Sequence, residues 1–196
     1  LVMTKPDEVI LVDENDNPIG ISEKIEAHQA GRLHRAFSIF IFNEQGKLLL
    51  QRRNRQKYHS GGLWANTCCS HPQTGEEVLA GAHRRLQEEM GFDCELSELF
   101  TFIYKAKLDK GITEHEYDHV VTGKFSGRPS PNPDEVEEWK WVTLEELGKD
   151  IKSNSDKYAY WLKVSFDPLL TNLGITKAQN NTQTVPTHAA ASADFL

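Results

Sequence analysis

Cysteine is scarce in this chain, with only Cys68, Cys69 and Cys94 present. An odd number with two adjacent residues does not make a disulfide framework. The fold must therefore rest on its core, and reduced thiols of this kind suit a cytoplasmic protein. Long apolar runs are also missing, and mean hydropathy is −0.55, so no membrane-spanning helix is expected. Residues 1–10 carry an acid pair and Pro6 and do not read as a signal peptide. Positive charge is outweighed, 22 Lys and Arg against 29 Asp and Glu for a net charge of −7, which argues against nucleic acid as the main partner. No internal repeat is visible. The 196 residues, 38% of them hydrophobic, are enough for one domain with a full core.

The densest chemistry lies in residues 64–92, which hold two thiols, His71 and a run of carboxylates. Thr74 with Glu77 reads as a capping-box helix start and Gly91 as the stop. Val78, Ala82, Leu86 and Met90 form the apolar stripe. At about 100° per residue, Glu89 falls roughly 60° from Leu86 and Glu88 roughly 160° away. Glu88 is therefore expected in water and Glu89 inside the core margin, where a carboxylate needs a cation or several donors. Arg85, one turn earlier, could be that cation, and a metal ion could equally be.

The remaining chain reads mainly as strands. Residues 8–13 and 19–22 are short strands around an Asn-Asp-Asn-Pro turn. His28 and His34 are six apart and would share a side if the segment were extended. Residues 36–43 and 47–53 read as a hairpin about Asn43-Glu44-Gln45-Gly46, delivering the basic cluster Arg52, Arg53, Arg55 and Lys57. Such a cluster is usually a solvated face, but its place beside the Cys/His/Glu stretch favours an anionic substrate. Residues 94–107 and 112–125 predict a second long hairpin. Alternation along its return strand puts Glu114, Glu116 and Asp118 on one face and His115, Tyr117 and His119 on the other, with Tyr104 on the partner strand. Three carboxylates on one face must coordinate a cation or meet water. A strand over 138–142, a helix over 143–153 with a Thr143–Glu146 capping box, and a helix over 158–170 interrupted near Pro168 follow. Trp161 in that last helix fits a core position. From residue 172 the chain is Asn/Gln/Thr/Ala-rich and reads as a disordered tail after a domain spanning 1–171.

Residues 70–92 resemble the Nudix box through Glu76, Arg84, Leu86, Glu88, Glu89 and Gly91. Ser70 replaces the opening Gly, and Arg85 replaces a Glu of the acidic set that binds the catalytic metal in Nudix hydrolases. With Glu26-Ala-His28, Arg32-Leu-His34, Asn66-Thr-Cys68-Cys69-Ser-His71-Pro72 and Glu114-His-Glu116, the chain is similar over about 9–170 to the type I isopentenyl diphosphate isomerases. The resemblance implies an α+β fold, a Nudix-like mixed β-sheet sandwich flanked by helices. It implies a divalent-metal site of His28, His34, His71, Glu114 and Glu116, whose mixed N/O donors suit Mn²⁺ or Zn²⁺. It also implies a Mg²⁺ with the substrate diphosphate, held by Glu89 and the Cys69 carbonyl, and no flavin. Lys24, Arg53, Lys57 and Arg85 would bind the diphosphate. Cys69 and Glu116 would transfer protons, with Tyr104 as relay and Trp161 facing the developing cation. The implied protein is a cytoplasmic monomer of isoprenoid biosynthesis acting on a small allylic or homoallylic diphosphate. The rivals are a Nudix diphosphohydrolase and a degenerate, non-catalytic metal-binding Nudix module.

Overall fold

The computed structural model describes residues 7–175. The chain opens with β1 (Glu8–Val12) and β2 (Pro18–Glu23), an antiparallel hairpin whose turn is held by the Asp13 carboxylate, which accepts from the Asn15 and Asn17 backbone N–H groups. A short helix α1 (Lys24–Ala30) is capped by the Glu23 carboxylate and ends at Gly31, φ 62°. The left-handed backbone there, open to glycine without strain, turns the chain into β3 (His34–Phe42). Next come β4 (Leu48–Arg53), β5 (Trp64–Ala65), β6 (Cys68–Ser70) and the helix α2 (Val78–Met90). The remainder is β7 (Leu96–Lys107), β8 (Thr113–Lys124), β9 (Val136–Val142), α3 (Leu144–Ser153) and α4 (Tyr160–Asn172). This is the expected α+β arrangement, a mixed sheet flanked by helices.

β3 is the centre. It runs parallel to β8 from His34↔Glu116 to Phe42↔Lys124 and antiparallel to β6 at Ser38↔Cys69. Both of its faces are buried. Phe37, Ile39 and Ile41 pack toward Leu86 and Met90 of α2, while Phe40 packs with Leu147 of α3 and Leu162 and Leu169 of α4. A strand covered on both faces shows an unbroken apolar run, not an alternation. For this reason the expected hairpin of residues 36–43 and 47–53 is only partly right. Its turn forms, but β3 and β4 pair only at Phe42↔Leu48. The strands then part, β4 pairing with β9 and β5. The β7–β8 hairpin forms as expected, with Tyr104 opposite Glu116.

Four further expectations are corrected. His28 and His34 do not share an extended segment: His28 is on α1 and His34 opens β3. The Thr74–Glu77 box does not cap α2. Glu77 is the N-cap and makes no side-chain capping bond, whereas Glu76 turns back onto Arg84 with two contacts of 2.8 Å. The 158–170 helix is not interrupted: α4 passes through Pro168, its buried Leu162, Phe166, Leu169 and Leu170 holding the segments on either side. The packed domain also extends past 171, because the Ile175 N–H binds the Leu170 carbonyl and Leu173 and Ile175 cover the core. The remainder of the expected tail, 176–196, lies outside the described residues. The Thr143–Glu146 box is present as expected, and no described helix is long and apolar enough to cross a membrane.

Candidate active site

His28 and His34 are fully buried. Their Nδ1 atoms lie 2.6 Å from the Lys24 carbonyl and 2.8 Å from the Arg32 carbonyl. A carbonyl only accepts, so both Nδ1 atoms carry the hydrogen and both Nε2 atoms are free to present lone pairs. Those Nε2 atoms face carboxylates. His28 Nε2 is 3.2 Å from Glu114 Oε2, and His34 Nε2 is 3.7 Å from Glu116 Oε1. His71 Nε2 is 3.1 Å from the same Glu116 oxygen. His28 Nε2, His34 Nε2 and Glu114 Oε2 are buried without a hydrogen-bond partner. Acceptor facing acceptor in a dry interior is unfavourable unless a cation lies between them. The ligand atoms of His28, His34, His71 and Glu116 all lie within 4.8 Å of one another.

The electrostatics agree. Burial, reinforced by His34, drives the His71 pKa down to about 3, leaving the neutral imidazole that a metal takes. Burial opposes charge on His28 as well, but the facing Glu114 outweighs it and raises its pKa. Without a metal ion, a proton on Nε2 serves as the local cation. Burial also disfavours the Glu114 and Glu116 charges, yet the histidines around them keep both carboxyls below their ordinary range. The residues therefore fit a divalent ion.

Beside this cluster, β6 presents Cys69. Its Sγ is 3.0 Å from Asn66 Oδ1 and 3.4 Å from Ser38 Oγ, and Ser38 donates to Asp118 Oδ2 at 2.7 Å. Asn66 cannot turn its amide over. Its Nδ2 donates to the Ile39 and Cys68 carbonyls at 3.0 and 3.1 Å, and its Oδ1 accepts the Trp161 indole N–H at 3.1 Å. Burial and then the nearby Asp118 push the Cys69 thiol well above its ordinary range. Burial and Glu116 do the same for Asp118. Tyr104 donates its hydroxyl to Glu116 Oε2 at 2.6 Å.

Cys69, Tyr104, Glu116 and Trp161 line one cavity of about 50 Å³, together with His71, Glu89, Glu114 and the cations Lys24, Arg53, Lys57 and Arg85. His28 and His34 do not line it but face Glu114 and Glu116, which do. Of the residues singled out from sequence, eleven line this cavity, whereas Arg52, Arg55, Cys68, Glu88 and Asp118 do not. Glu89 is buried and Glu88 exposed, as the helix geometry required. Glu89 accepts from Arg85 at 2.5 Å and from Gln51 at 3.0 Å. Each basic side chain already has a neighbour: Lys24 pairs with Asp7 at 2.9 Å, Lys57 with Glu135, and Arg53 lies 5.0 Å from the Trp161 ring centroid. Sequence reasoning missed Ser38, Gln51 and Glu135, and missed His59, whose Nε2 is 3.1 Å from Glu114 Oε1. None belongs to a periodic or clustered pattern, and only pairing across the sheet or loop closure brings them in. Asp118 had been placed on the correct face without a role.

The NUDIX domain model matches residues 32–162. "Isopentenyl-diphosphate Delta-isomerase 2" of Aromatoleum aromaticum is 53% identical over 165 residues, covering 84% of this chain and 87% of the relative. A protein of the same name from Photorhabdus laumondii is 54% identical over 155 residues, covering 79% and 88%. Among solved structures, a Deinococcus radiodurans protein superposes with TM-score 0.63 at 21% identity, covering 75% of this chain and 90% of its own. The MutT protein of Methanosarcina mazei reaches 0.60 at 18%, covering 72% and 95%. At those identities the two structures speak for the fold alone.

Proposed function

The chain belongs to the isopentenyl-diphosphate Delta-isomerases, built on a Nudix domain, and from that premise we propose that it converts isopentenyl diphosphate to dimethylallyl diphosphate through proton transfer by Cys69 and Glu116. The observation that carries this reading is the convergence of a half-buried thiol and a buried carboxylate on one cavity rimmed by four cations.

Moving an unactivated double bond by one carbon requires adding a proton to the terminal carbon, which places positive charge on the tertiary carbon. A proton is then lost from the carbon on the other side. An acid and a base on opposite faces of a dry hydrocarbon satisfy this. Cys69 supplies one face, oriented by Asn66 and Ser38, and Glu116 supplies the other, with the Tyr104 hydroxyl 2.6 Å away to pass a proton on. Trp161, whose ring already attracts Arg53, offers its π-face to the cationic carbon, worth about 2 kcal/mol when desolvated. Lys24, Arg53, Lys57 and Arg85 hold the diphosphate. The cavity opens partly to solvent, so the diphosphate reaches the cations from its mouth. Exchange of Lys24 from Asp7 and of Lys57 from Glu135 to phosphate oxygens provides the driving contacts.

His28, His34, His71, Glu114 and Glu116 would hold Mn²⁺ or Zn²⁺, and Glu89 with the Cys69 carbonyl would hold Mg²⁺. Such ions, when bound, fix the direction and lower the basicity of Glu116 and neutralise diphosphate charge. The Arg85–Glu89 pair also argues against hydrolysis, since a guanidinium occupies the position of a metal-binding carboxylate. Cys69→Ala, Cys69→Ser and Glu116→Gln are each expected to lose nearly all turnover while keeping wild-type circular dichroism and Tm. Retained activity in purified Cys69→Ala would sink the assignment.

A further inference from the structure

His59 has no place in the His/Glu ligand cluster, yet its ring is fixed against it. It is 3% exposed, with Nε2 3.1 Å from Glu114 Oε1 and Nδ1 3.1 Å from the Ser60 hydroxyl. A carboxylate accepts only, so Nε2 carries the hydrogen and faces Glu114 Oε1, while the Ser60 hydroxyl donates to Nδ1. Glu114 thus faces two imidazoles: Oε1 faces His59 Nε2, and Oε2, which has no hydrogen-bond partner, faces His28 Nε2.

The loop that carries His59 is held in a form it would not adopt unaided. Ser60 has φ 50°, a left-handed conformation rare for a residue with a side chain. A Cβ on Gly61 would lie 2.5 Å from the Arg55 carbonyl. The Ser60 N–H donates to Asp109 at 3.2 Å, and the His59 carbonyl accepts from Arg53 at 3.2 Å. One residue therefore joins Arg53 of the diphosphate rim, through its backbone, to Glu114, through its ring.

We propose that His59 is a positioning residue of the metal site: its Nε2–H holds one Glu114 oxygen so that the other points at the ion. The inference rests on the reading of the His/Glu cluster as that site. An outer partner of this kind commonly changes metal affinity by about 10- to 100-fold, and the hydrogen bond can be separated from the packing. His59→Phe keeps a flat ring against Tyr58 and Trp161, which lie 4.3 and 5.8 Å away between centroids, but has no donor. His59→Gln loses the ring and keeps an N–H donor.

The test is titration of the chelator-stripped full chain with Mn²⁺ alone, followed by electron paramagnetic resonance. His59→Phe is expected to weaken Mn²⁺ binding by about 10- to 100-fold, and His59→Gln to stay within about threefold of the parent. Parent-like binding by His59→Phe, or equal loss in both variants, overturns the proposal, the second result assigning the effect to the ring. If His59→Phe does not fold by circular dichroism, His59→Leu replaces it with the same expectation. Failure of the underlying site reading looks different: the parent itself would take up no Mn²⁺, and His28→Ala and His71→Ala would change nothing.

Discussion

Asn66→Asp replaces one buried group by another of the same shape, and its effect can be worked from four contacts. The wild-type amide is fully buried and donates from Nδ2 to the Ile39 and Cys68 carbonyls. Its oxygen accepts from Trp161 Nε1 and from the Cys69 thiol. A carboxylate keeps the two acceptor contacts and loses both donors. Two carbonyls then lose the Asn66 donors and face a second acceptor. Each buried acceptor facing an acceptor in place of a donor costs about 1–3 kcal/mol, so the loss is about 2–6 kcal/mol. At about 2–4 °C per kcal/mol for a chain of this size, Tm falls by about 4–24 °C, leaving a folded protein where parent stability, usually about 5–15 kcal/mol, exceeds that loss. The turn between β5 and β6 that aims Cys69 loses its internal ties, so kcat should fall by at least tenfold even at temperatures where the variant is fully folded. Differential scanning calorimetry and a kcat measurement at 15 °C provide the check. A Tm within 2 °C of wild type and a kcat within twofold would refute the claim that this amide fixes the thiol.

Three other outcomes follow from the same geometry. Tyr104→Phe removes the hydroxyl that donates to Glu116; a hydrogen bond to a charged group is worth about 1.5–3 kcal/mol. The kcat should therefore drop by about 10- to 150-fold with KM little changed, whereas an equal rise in KM would point to binding instead. Burial, then Asp118, raise the Cys69 thiol pKa, so its protonated form persists as pH rises through the ordinary thiol range. Alkylation by iodoacetamide should still be accelerating at pH 9, and a plateau between pH 7 and 8 would contradict this. Leu86 is fully buried in the cluster joining α2 to β3, so Leu86→Ala should cost about 2–5 kcal/mol in urea unfolding, with no change in KM for the enzyme that remains folded.

How much of this was legible in the sequence depended on whether the signal was local. The 3.6-residue period of α2 separated Glu89 from Glu88, and the two-residue period of β8 put Glu114, Glu116 and Asp118 together; both periods are properties of a single segment. The separation of β3 from β4 was not legible, because an apolar run buried on both faces looks the same whichever strands flank it. The α2 cap was misplaced because Thr74 offers the right side chain, but its hydroxyl turns to Glu8, 66 positions earlier, and the helix begins only after Glu77. His59 is the clearest omission. A lone histidine in a glycine-containing loop carries no periodicity, and it becomes meaningful only when a left-handed Ser60 and the Arg53 contact bring it to Glu114. Ser38 was hidden in a strand otherwise made of apolar residues, and its tie to Asp118 spans 80 positions.

The central claim is that this site moves a proton and leaves the diphosphate whole. It is tested most directly by incubating the chain with isopentenyl diphosphate in D₂O with Mg²⁺ and Mn²⁺ and following the mixture by proton and phosphorus NMR. The account predicts dimethylallyl diphosphate carrying deuterium in a methyl group with an unbroken diphosphate signal, and neither product nor deuterium uptake in Glu116→Gln. Release of inorganic phosphate without deuterium entering the hydrocarbon would contradict it.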